Sequence, residues 1–242
     1  MMKAKPAQRV AFFQLDESPA SVAHYLQPYS CNLIARLKLD HESVWFVDLN
    51  REIVTFEQLQ RVSCIVFAGL WPFKSHQIER HTIRCLISQI LHLGIPVFFI
   101  GSTERFLFEA LGYESFMPTS RFGLNMAQPS DMSDRLLTSQ DLSWRWVVND
   151  LVVTELAADT VVLERDLNGI PMLICHAEHI YSSAAALGVT WYEMASWLYA
   201  YPQYLQGNEA IIECHWSDDV GLTFIQHFIQ RWSVSENTCI HA

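Results

Sequence analysis

The stretch from Ile95 to Leu111 reads IPVFFIGSTERFLFEAL and predicts a buried strand, a tight turn and a helix. The strand is predicted over Pro96 to Ile100, where the unbroken apolar run indicates a strand covered on both faces. The helix is predicted over Thr103 to Leu111, and Gly112 is well placed to end it. Gly101 therefore lies in the turn that joins the strand to the helix.

Strands and helices also alternate in the residues that precede this stretch. Apolar runs predict strands at Arg9 to Leu15, Val44 to Leu49 and Ser63 to Phe67. Amphipathic segments predict helices at Ser21 to Ala35, which Pro28 interrupts, at Val54 to Val62 and at Gln77 to Leu93. The series implies an α/β fold, with a mostly parallel sheet and helices on both faces. Ligands of such sheets bind beyond the carboxyl ends of the strands.

The C-terminal half predicts more strands and two further helices. Gly112 to Ser143 is rich in Ser, Met, Asp and Pro, and we expect it to be irregular with one or two edge strands. Short strands are predicted at Trp144 to Asn149, Val152 to Glu155, Thr160 to Arg165 and Pro171 to His176, and helices at Thr190 to Tyr201 and Val220 to Trp232. No repeat and no domain linker stands out, so residues 1–242 are expected to form a single domain.

Composition and charge exclude several classes of partner. The 242 residues are 50% apolar and carry a net charge of −10 with only 16 Lys plus Arg, which disfavours nucleic acid and anionic membranes as partners. No apolar run reaches the roughly 20 residues of a spanning helix, and Val10 to Phe13 is too short for a signal-peptide core. We expect a soluble, cytoplasmic protein.

The cysteines and histidines predict neither disulfides nor a metal centre. Six cysteines are scattered without a C-x-x-C pair, as expected for free thiols in a chain of this size. Neither Cys175-His176 nor Cys214-His215 has recognised zinc spacing, and adjacent strand residues chelate one ion poorly. No metal and no cofactor is expected.

The stretch around Gly101 resembles the nucleophile-elbow segment of class I glutamine amidotransferases, which reads roughly P-V-x-G-I-C-x-G-x-Q-x-L-x-x-A-L-G. Pro96 and Val97 match on one side and Glu109 to Gly112 on the other, without a gap. The resemblance extends over roughly Arg9 to Trp232 and implies the flavodoxin-like α/β fold of this family. It also places the family's catalytic cysteine at Gly101, which has no side chain.

Other parts that the family uses to bind and open glutamine are altered as well. The oxyanion loop G-G-P-G of the family appears as Ala68-Gly69-Leu70-Trp71-Pro72, so one glycine is kept and an indole is added. The glycine and glutamine that shape the glutamine pocket correspond to Thr103 and Arg105. The resemblance therefore implies a pocket near Gly69, Leu70, Trp71, Thr103 and Arg105 that is not built for glutamine.

A histidine and a glutamate resemble the family's remaining catalytic pair. Class I amidotransferases carry an H-P-E strand end, in which the histidine is the general base for the cysteine and the glutamate orients it. His176 and Glu178 fit these positions, with Ala177 in place of proline. We expect a ring nitrogen of His176 within about 7 Å of Gly101 and Glu178 bonded to the other nitrogen.

A rival alignment places the site histidine at His215, in IIECH over Ile211 to His215. Trp216-Ser217 does not fit the family's P-E, so His176 is preferred and residues 182–208 are interpreted as an insertion. This insertion has two Trp and four Tyr in 27 residues. Aromatic residues at this density either fill a core or form an interface, which could include a homo-oligomer contact.

Ser102 is the nearest residue that could replace the missing nucleophile. Its side chain is expected to point away from the base and to cap the following helix, because Glu104 and Arg105 follow it as in a helix N-terminus. Cys175 is a poor partner for His176, since adjacent strand residues point to opposite faces.

Two functions of different classes follow from this pattern. The first is a catalytically silent amidotransferase homologue, a binding or regulatory subunit for an unknown small molecule or protein. The second is an enzyme of different chemistry, a hydrolase, lyase or transferase of a biosynthetic pathway, that uses His176 and Glu178 on water or a substrate hydroxyl. The first is preferred, and neither is a glutaminase.

Overall fold

The alternating strands and helices assemble around one nine-stranded sheet. The computed structural model describes residues 9–15, 23, 27–70, 80–113, 116–118, 122–131, 134, 142–148, 151–153, 155–204 and 216–233. Its strands are β1 (Arg9–Gln14), β2 (Val44–Asp48), β3 (Val62–Gly69), β4 (Val97–Gly101), β5 (Phe116–Pro118), β6 (Phe122–Pro129), β7 (Ser143–Val148), β8 (Leu151–Val153), β9 (Val161–Asp166), β10 (Pro171–Ala177) and β11 (Ile180–Ser183). Its helices are α1 (Tyr29–Leu37), α2 (Phe56–Leu59), α3 (Arg80–His92), α4 (Glu104–Leu111), α5 (Trp191–Ala200) and α6 (Asp219–Ser233).

The sheet has a parallel half and an antiparallel half. Its strand order is β2-β1-β3-β4-β11-β10-β9-β6-β7, and β5 pairs with β8 in a separate two-stranded sheet. The first five strands are mutually parallel, whereas each pairing from β11 to β7 is antiparallel. The α/β class is confirmed, and the sheet is mixed, with its parallel part in the first five strands.

Helices cover both faces of the parallel half because its strands are apolar on both faces. In β1, Val10 and Phe12 belong to a core cluster that also contains buried residues of α1, α5 and α6. Ala11 and Phe13 belong to a second cluster, with buried residues of α2, α3 and α4. Fully burying one such aliphatic or aromatic side chain contributes about 1.5 to 3 kcal/mol, so these two clusters supply most of the driving force for folding.

The segment predicted as an insertion, residues 182–208, begins inside a central strand. Ser182 and Ser183 belong to β11 and pair with Phe99 and Ile100 of β4. Farther along, Trp197 is 1% exposed and packs in the core. The predicted boundary at residue 182 is therefore wrong, because this part of the chain completes the main sheet and its core. Of the two roles considered for its aromatic residues, filling the core is confirmed for Trp197.

A buried ionic cluster joins the antiparallel half of the sheet to α6. The Arg145 side chain in β7 is fully buried and lies 2.7 Å from the Asp218 carboxylate and 3.0 Å from the Glu164 carboxylate. Asp218 also accepts hydrogen bonds from the backbone N–H groups of Gly188, at 3.0 Å, and Gly221, at 2.7 Å. Asp218 thus caps the start of α6 and holds the chain that leaves β11.

No helix among the described residues is long and apolar enough to cross a membrane.

Candidate functional site

The turn after β4 has the geometry of a strained elbow. Gly101 ends β4 with φ of +67°, a backbone region that residues with a side chain rarely adopt. This positive φ fits the tight turn that the sequence predicts at Gly101. Gly101 pairs with Gly69 at the end of the neighbouring strand β3, so two glycines lie side by side at the carboxyl edge of the sheet.

Replacing Gly101 by alanine is expected to lower the free energy of unfolding by about 1 to 2 kcal/mol, because alanine is disfavoured at positive φ. Urea unfolding of the wild type and the Gly101→Ala variant measures this loss. Gly94→Ala is a matched control for the backbone cost, since Gly94 has φ of +65° and open space at its Cβ position. A Gly101→Ala variant as stable as the wild type would contradict a strained elbow.

Ser102 and Thr103 hold the elbow against β3. The Ser102 N–H donates to the Gly69 carbonyl at 3.1 Å. A Cβ added to Gly69 would lie 2.8 Å from Ser102 Oγ and 2.9 Å from Thr103 Cγ2, so a larger residue there would have to displace these two side chains. The predicted capping role of Ser102 is wrong. The residue at the N-cap of α4 is Thr103, whose side chain makes no capping hydrogen bond to the helix.

The Thr103 hydroxyl instead ties the elbow to two strands. Its Oγ1 accepts from the backbone N–H of Ile100 at 3.0 Å and lies 3.0 Å from the Ile100 carbonyl and 3.3 Å from the Phe67 carbonyl, either of which can accept its proton. This local bonding explains why threonine fits the position at which the resemblance places a pocket glycine.

The other predicted pocket residues make contacts of their own. Leu70 is 1% exposed and belongs to the core. Arg105 pairs with Glu109 one helical turn later, with Nε 3.1 Å from the carboxylate. Trp71 lies outside the described residues. The contacts described here give no glutamine-binding role to Leu70 or Arg105.

His176 lies at the opposite edge of the sheet from Gly101. Strand β10 runs antiparallel to β11, and β11 runs parallel to β4, so the carboxyl end of β10 meets the amino end of β4. The register aligns Leu173, not His176, with the end of β4, since Leu173 pairs with Ser183 and Ser183 with Ile100. Two strand spacings, about 10 Å, also separate β10 from β4. The predicted approach of His176 to within about 7 Å of Gly101 is therefore wrong.

His176 belongs to a buried hydrogen-bonded chain. Its Nε2 lies 2.8 Å from Ser182 Oγ, and Ser182 donates to the Glu104 carboxylate at 2.7 Å. Its Nδ1 lies 3.4 Å from the Tyr113 hydroxyl. Because Ser182 gives its proton to Glu104, it accepts from the Nε2–H of His176, and Nδ1 is then free to accept from Tyr113. The chain joins the first turn of α4 to strands β11 and β10.

Burial keeps the His176 imidazole neutral. His176 is 5% exposed, and desolvation lowers its pKa to about 4, an effect that the charge of Asp159 partly offsets. A base with so low a pKa, bonded at both nitrogens, is poorly suited to accept a proton from a substrate near neutral pH.

Glu178 does not orient His176. Its side chain is 84% exposed, and its carboxylate lies 3.8 Å from the Arg231 guanidinium. Glu178 follows β10 in the turn to β11, where its carboxylate points to solvent. The predicted His176 and Glu178 pair is therefore absent from the geometry, and His215 lies outside the described residues.

The chain that extends from β11 is the neighbour of the elbow that sequence reasoning missed. Ser183 of β11 pairs with Ile100, directly before Gly101, and the residues that follow are Ala184-Ala185-Ala186-Leu187-Gly188. Its first four residues are at most 2% exposed, and the segment contains no ionisable side chain. The turn at Glu178-His179, between two apolar runs, is the signal of a hairpin that could have located this strand.

No set of three or more His, Cys, Asp or Glu side chains suited to hold a metal ion occurs in the described part of the chain.

Solved structures share this fold at low sequence identity. A glutamine amidotransferase from Thermotoga maritima superposes with a TM-score of 0.68 and 13% identity, covering 95% of this chain and 99% of its own. A glutamine amido transferase from Methylobacillus flagellatus superposes with a TM-score of 0.65 and 12% identity, covering 97% of this chain and 98% of its own. A Thermoplasma acidophilum protein, named for a GMP synthase subunit, superposes with a TM-score of 0.58 and 12% identity. The match covers 92% of this chain and 94% of its own.

The sequence itself matches no protein-family model and no curated protein. The likeness in structure extends over nearly the whole chain. The chain therefore shares the fold of these glutamine amidotransferase structures.

Proposed function

We propose that this chain is a catalytically silent homologue of glutamine amidotransferases, with the role of a binding or regulatory subunit. Gly101 carries the proposal. It stands at the positive-φ apex of the elbow, where the sequence resemblance places the catalytic cysteine, and it has no atom that can attack a carboxamide.

The surroundings of Gly101 support the same conclusion. The segment Ala184 to Gly188, next to the elbow, offers no base. His176 lies at the other edge of the sheet. Glutamine hydrolysis through a covalent enzyme intermediate requires a nucleophile, a base and oxyanion donors together. A base alone would raise the rate only about 10²- to 10⁴-fold.

The alternative, an enzyme that uses His176 and Glu178 without a cysteine, is less well supported. Such a base must contact the proton that it removes. His176 is buried with both nitrogens bonded inside the protein, and Glu178 faces solvent. We therefore prefer the silent homologue.

A regulatory role of this kind requires a surface for a partner, and α5 offers candidate contacts. Tyr192 and Tyr199 are 52% and 65% exposed and lie seven residues apart, on one face of the helix. Exposed tyrosines are enriched in protein interfaces, including those of homo-oligomers. The name of the Thermoplasma acidophilum neighbour, which denotes part of a synthase, is consistent with such a role here.

The purified protein is expected to release no ammonia from glutamine above the rate of buffer alone. A glutamine amidotransferase with measured glutaminase activity serves as the positive control in the same coupled ammonia assay. Gly101→Cys alone is expected to give no robust turnover, since, among the residues that the structure describes, neither His176 nor the segment Ala184 to Gly188 places a base beside position 101. Ammonia release by the wild type would refute the proposal, and efficient turnover by Gly101→Cys would show that a working pocket had been kept.

A further inference from the structure

A cleft of about 780 Å³ lies at the amino-end edge of the parallel strands, away from the elbow. Described residues that line it come from the starts of three adjacent strands and the segments before them: Arg9, Asp40, Glu42, Ser43, Trp45, Gln58, Arg61 and Val62. Its volume is within the range of small-ligand pockets. The silent elbow at Gly101 plays no part in this cleft.

Charge is ordered across this cleft. Strands β2, β1 and β3 lie side by side in that order. Asp40 and Glu42 precede β2, Arg9 begins β1, and Arg61 directly precedes β3. The cleft is therefore acidic at its β2 side and basic toward its β3 side. With adjacent strands about 4.8 Å apart, the backbone of Arg61 lies about 10 Å from the acidic side, and Arg9 lies between them at about 5 Å.

The cations of the cleft have no protein partner among the described residues. Neither the Arg9 nor the Arg61 guanidinium forms a hydrogen bond or an ion pair with another residue that the structure describes. Trp45, half-buried and packed edge-on against Phe13, provides an apolar surface, and the buried Val62 also lines the cleft. The cleft thus combines two cations, two carboxylates and an aromatic surface.

We propose that this cleft binds a small zwitterion, a short peptide with free ends. Arg9 and Arg61 would take its carboxylate, and Asp40 and Glu42 its ammonium group. An extended tripeptide spans about 10 Å, which matches the separation of the acidic and basic ends. A simple anion fits less well because two carboxylates line the same cleft, and a simple cation fits less well because two guanidiniums do. Small apolar side chains suit the apolar surfaces of Trp45 and Val62.

Titration calorimetry with trialanine tests the proposal. We expect a Kd on the order of 1 mM or tighter for the peptide with free ends, and at least about tenfold weaker binding for its N-acetylated and its C-amidated forms. Arg61→Gln and Glu42→Gln should each weaken binding about three- to tenfold, because each removes one charge partner. Both side chains are exposed, so neither change should disturb the fold.

Arg80→Gln and Glu57→Gln are matched controls, since both residues are exposed and neither lines the cleft. They should bind trialanine as the wild type does. Three results would overturn the proposal: no binding at about 10 mM peptide, equal binding of the free and blocked peptides, or unchanged binding by Arg61→Gln and Glu42→Gln.

Discussion

Replacing Arg145 by methionine is expected to lower the free energy of unfolding by about 3 to 5 kcal/mol. The Arg145 side chain is fully buried and pairs with two carboxylates, those of Asp218 at 2.7 Å and Glu164 at 3.0 Å. Methionine retains the apolar stem of the arginine side chain but not its guanidinium, and would leave both carboxylates buried without a cation. Breaking a buried pair from one side costs far more than the net contribution of the intact pair, because the remaining charge stays out of water.

The loss in free energy of unfolding that Arg145→Met causes should also depend on pH. Burial already raises the pKa of Glu164 and of Asp218, against the opposing charge of Arg145. Without the guanidinium, both pKa values should rise further. For a carboxyl group with a raised pKa in the folded state, the stabilisation from protonation is present at low pH and is lost as pH rises through the folded-state pKa. The deficit of the variant should therefore shrink as pH falls from about 8 to about 5.

Urea unfolding of both proteins at these two pH values measures the effect. Arg51→Met is the control, because Arg51 pairs with Asp48 on the surface with its own side chain 76% exposed. A surface pair of this kind contributes at most about 1 kcal/mol. An Arg145→Met variant within that margin of the wild type would show that the cluster is not important for stability.

Much of the fold could be predicted from the sequence because its strands and helices are encoded locally. The apolar run before Gly101 predicts a strand over Pro96 to Ile100, and β4 spans Val97–Gly101. The predicted helix over Thr103 to Leu111 is α4, and its end at Gly112 is a left-handed cap. Periodicity, glycine placement and apolar runs all act within a few residues, so a single sequence shows them.

The candidate site could not be predicted equally well because it depends on the order of the strands. Strand β10 runs antiparallel to β11 and β4, so its carboxyl end, with His176, lies at the opposite edge of the sheet from Gly101. His176 matches the family pattern in its order along the sequence, but not in its position in the sheet. Likewise, nothing local indicates that Arg145 is paired with Asp218, which lies 73 residues away along the chain.

Stability is also expected to depend on pH through His176. Desolvation lowers the pKa of this imidazole from its usual value of 6.5 to about 4. For a group with a lowered folded-state pKa, the neutral form stabilises the fold fully above the unfolded-state pKa, and the stabilisation is lost as pH falls through the folded-state pKa. Protonation of His176 should therefore lower the free energy of unfolding by about 3 kcal/mol as pH falls from about 7.5 to about 4, since each unit of pKa difference corresponds to about 1.4 kcal/mol.

Comparison with His176→Gln isolates this contribution, since glutamine can hydrogen-bond to Ser182 but does not titrate. The wild type should be the more stable protein at about pH 7.5, and its advantage should shrink by about 3 kcal/mol at about pH 4. Tyr113→Phe is the matched control. It removes the hydroxyl that lies 3.4 Å from Nδ1 but keeps the imidazole, so its stability should follow the pH dependence of the wild type. Parallel stability curves for the wild type and His176→Gln would mean that His176 takes up a proton without unfolding, and that the buried chain through Ser182 and Glu104 accommodates the charge.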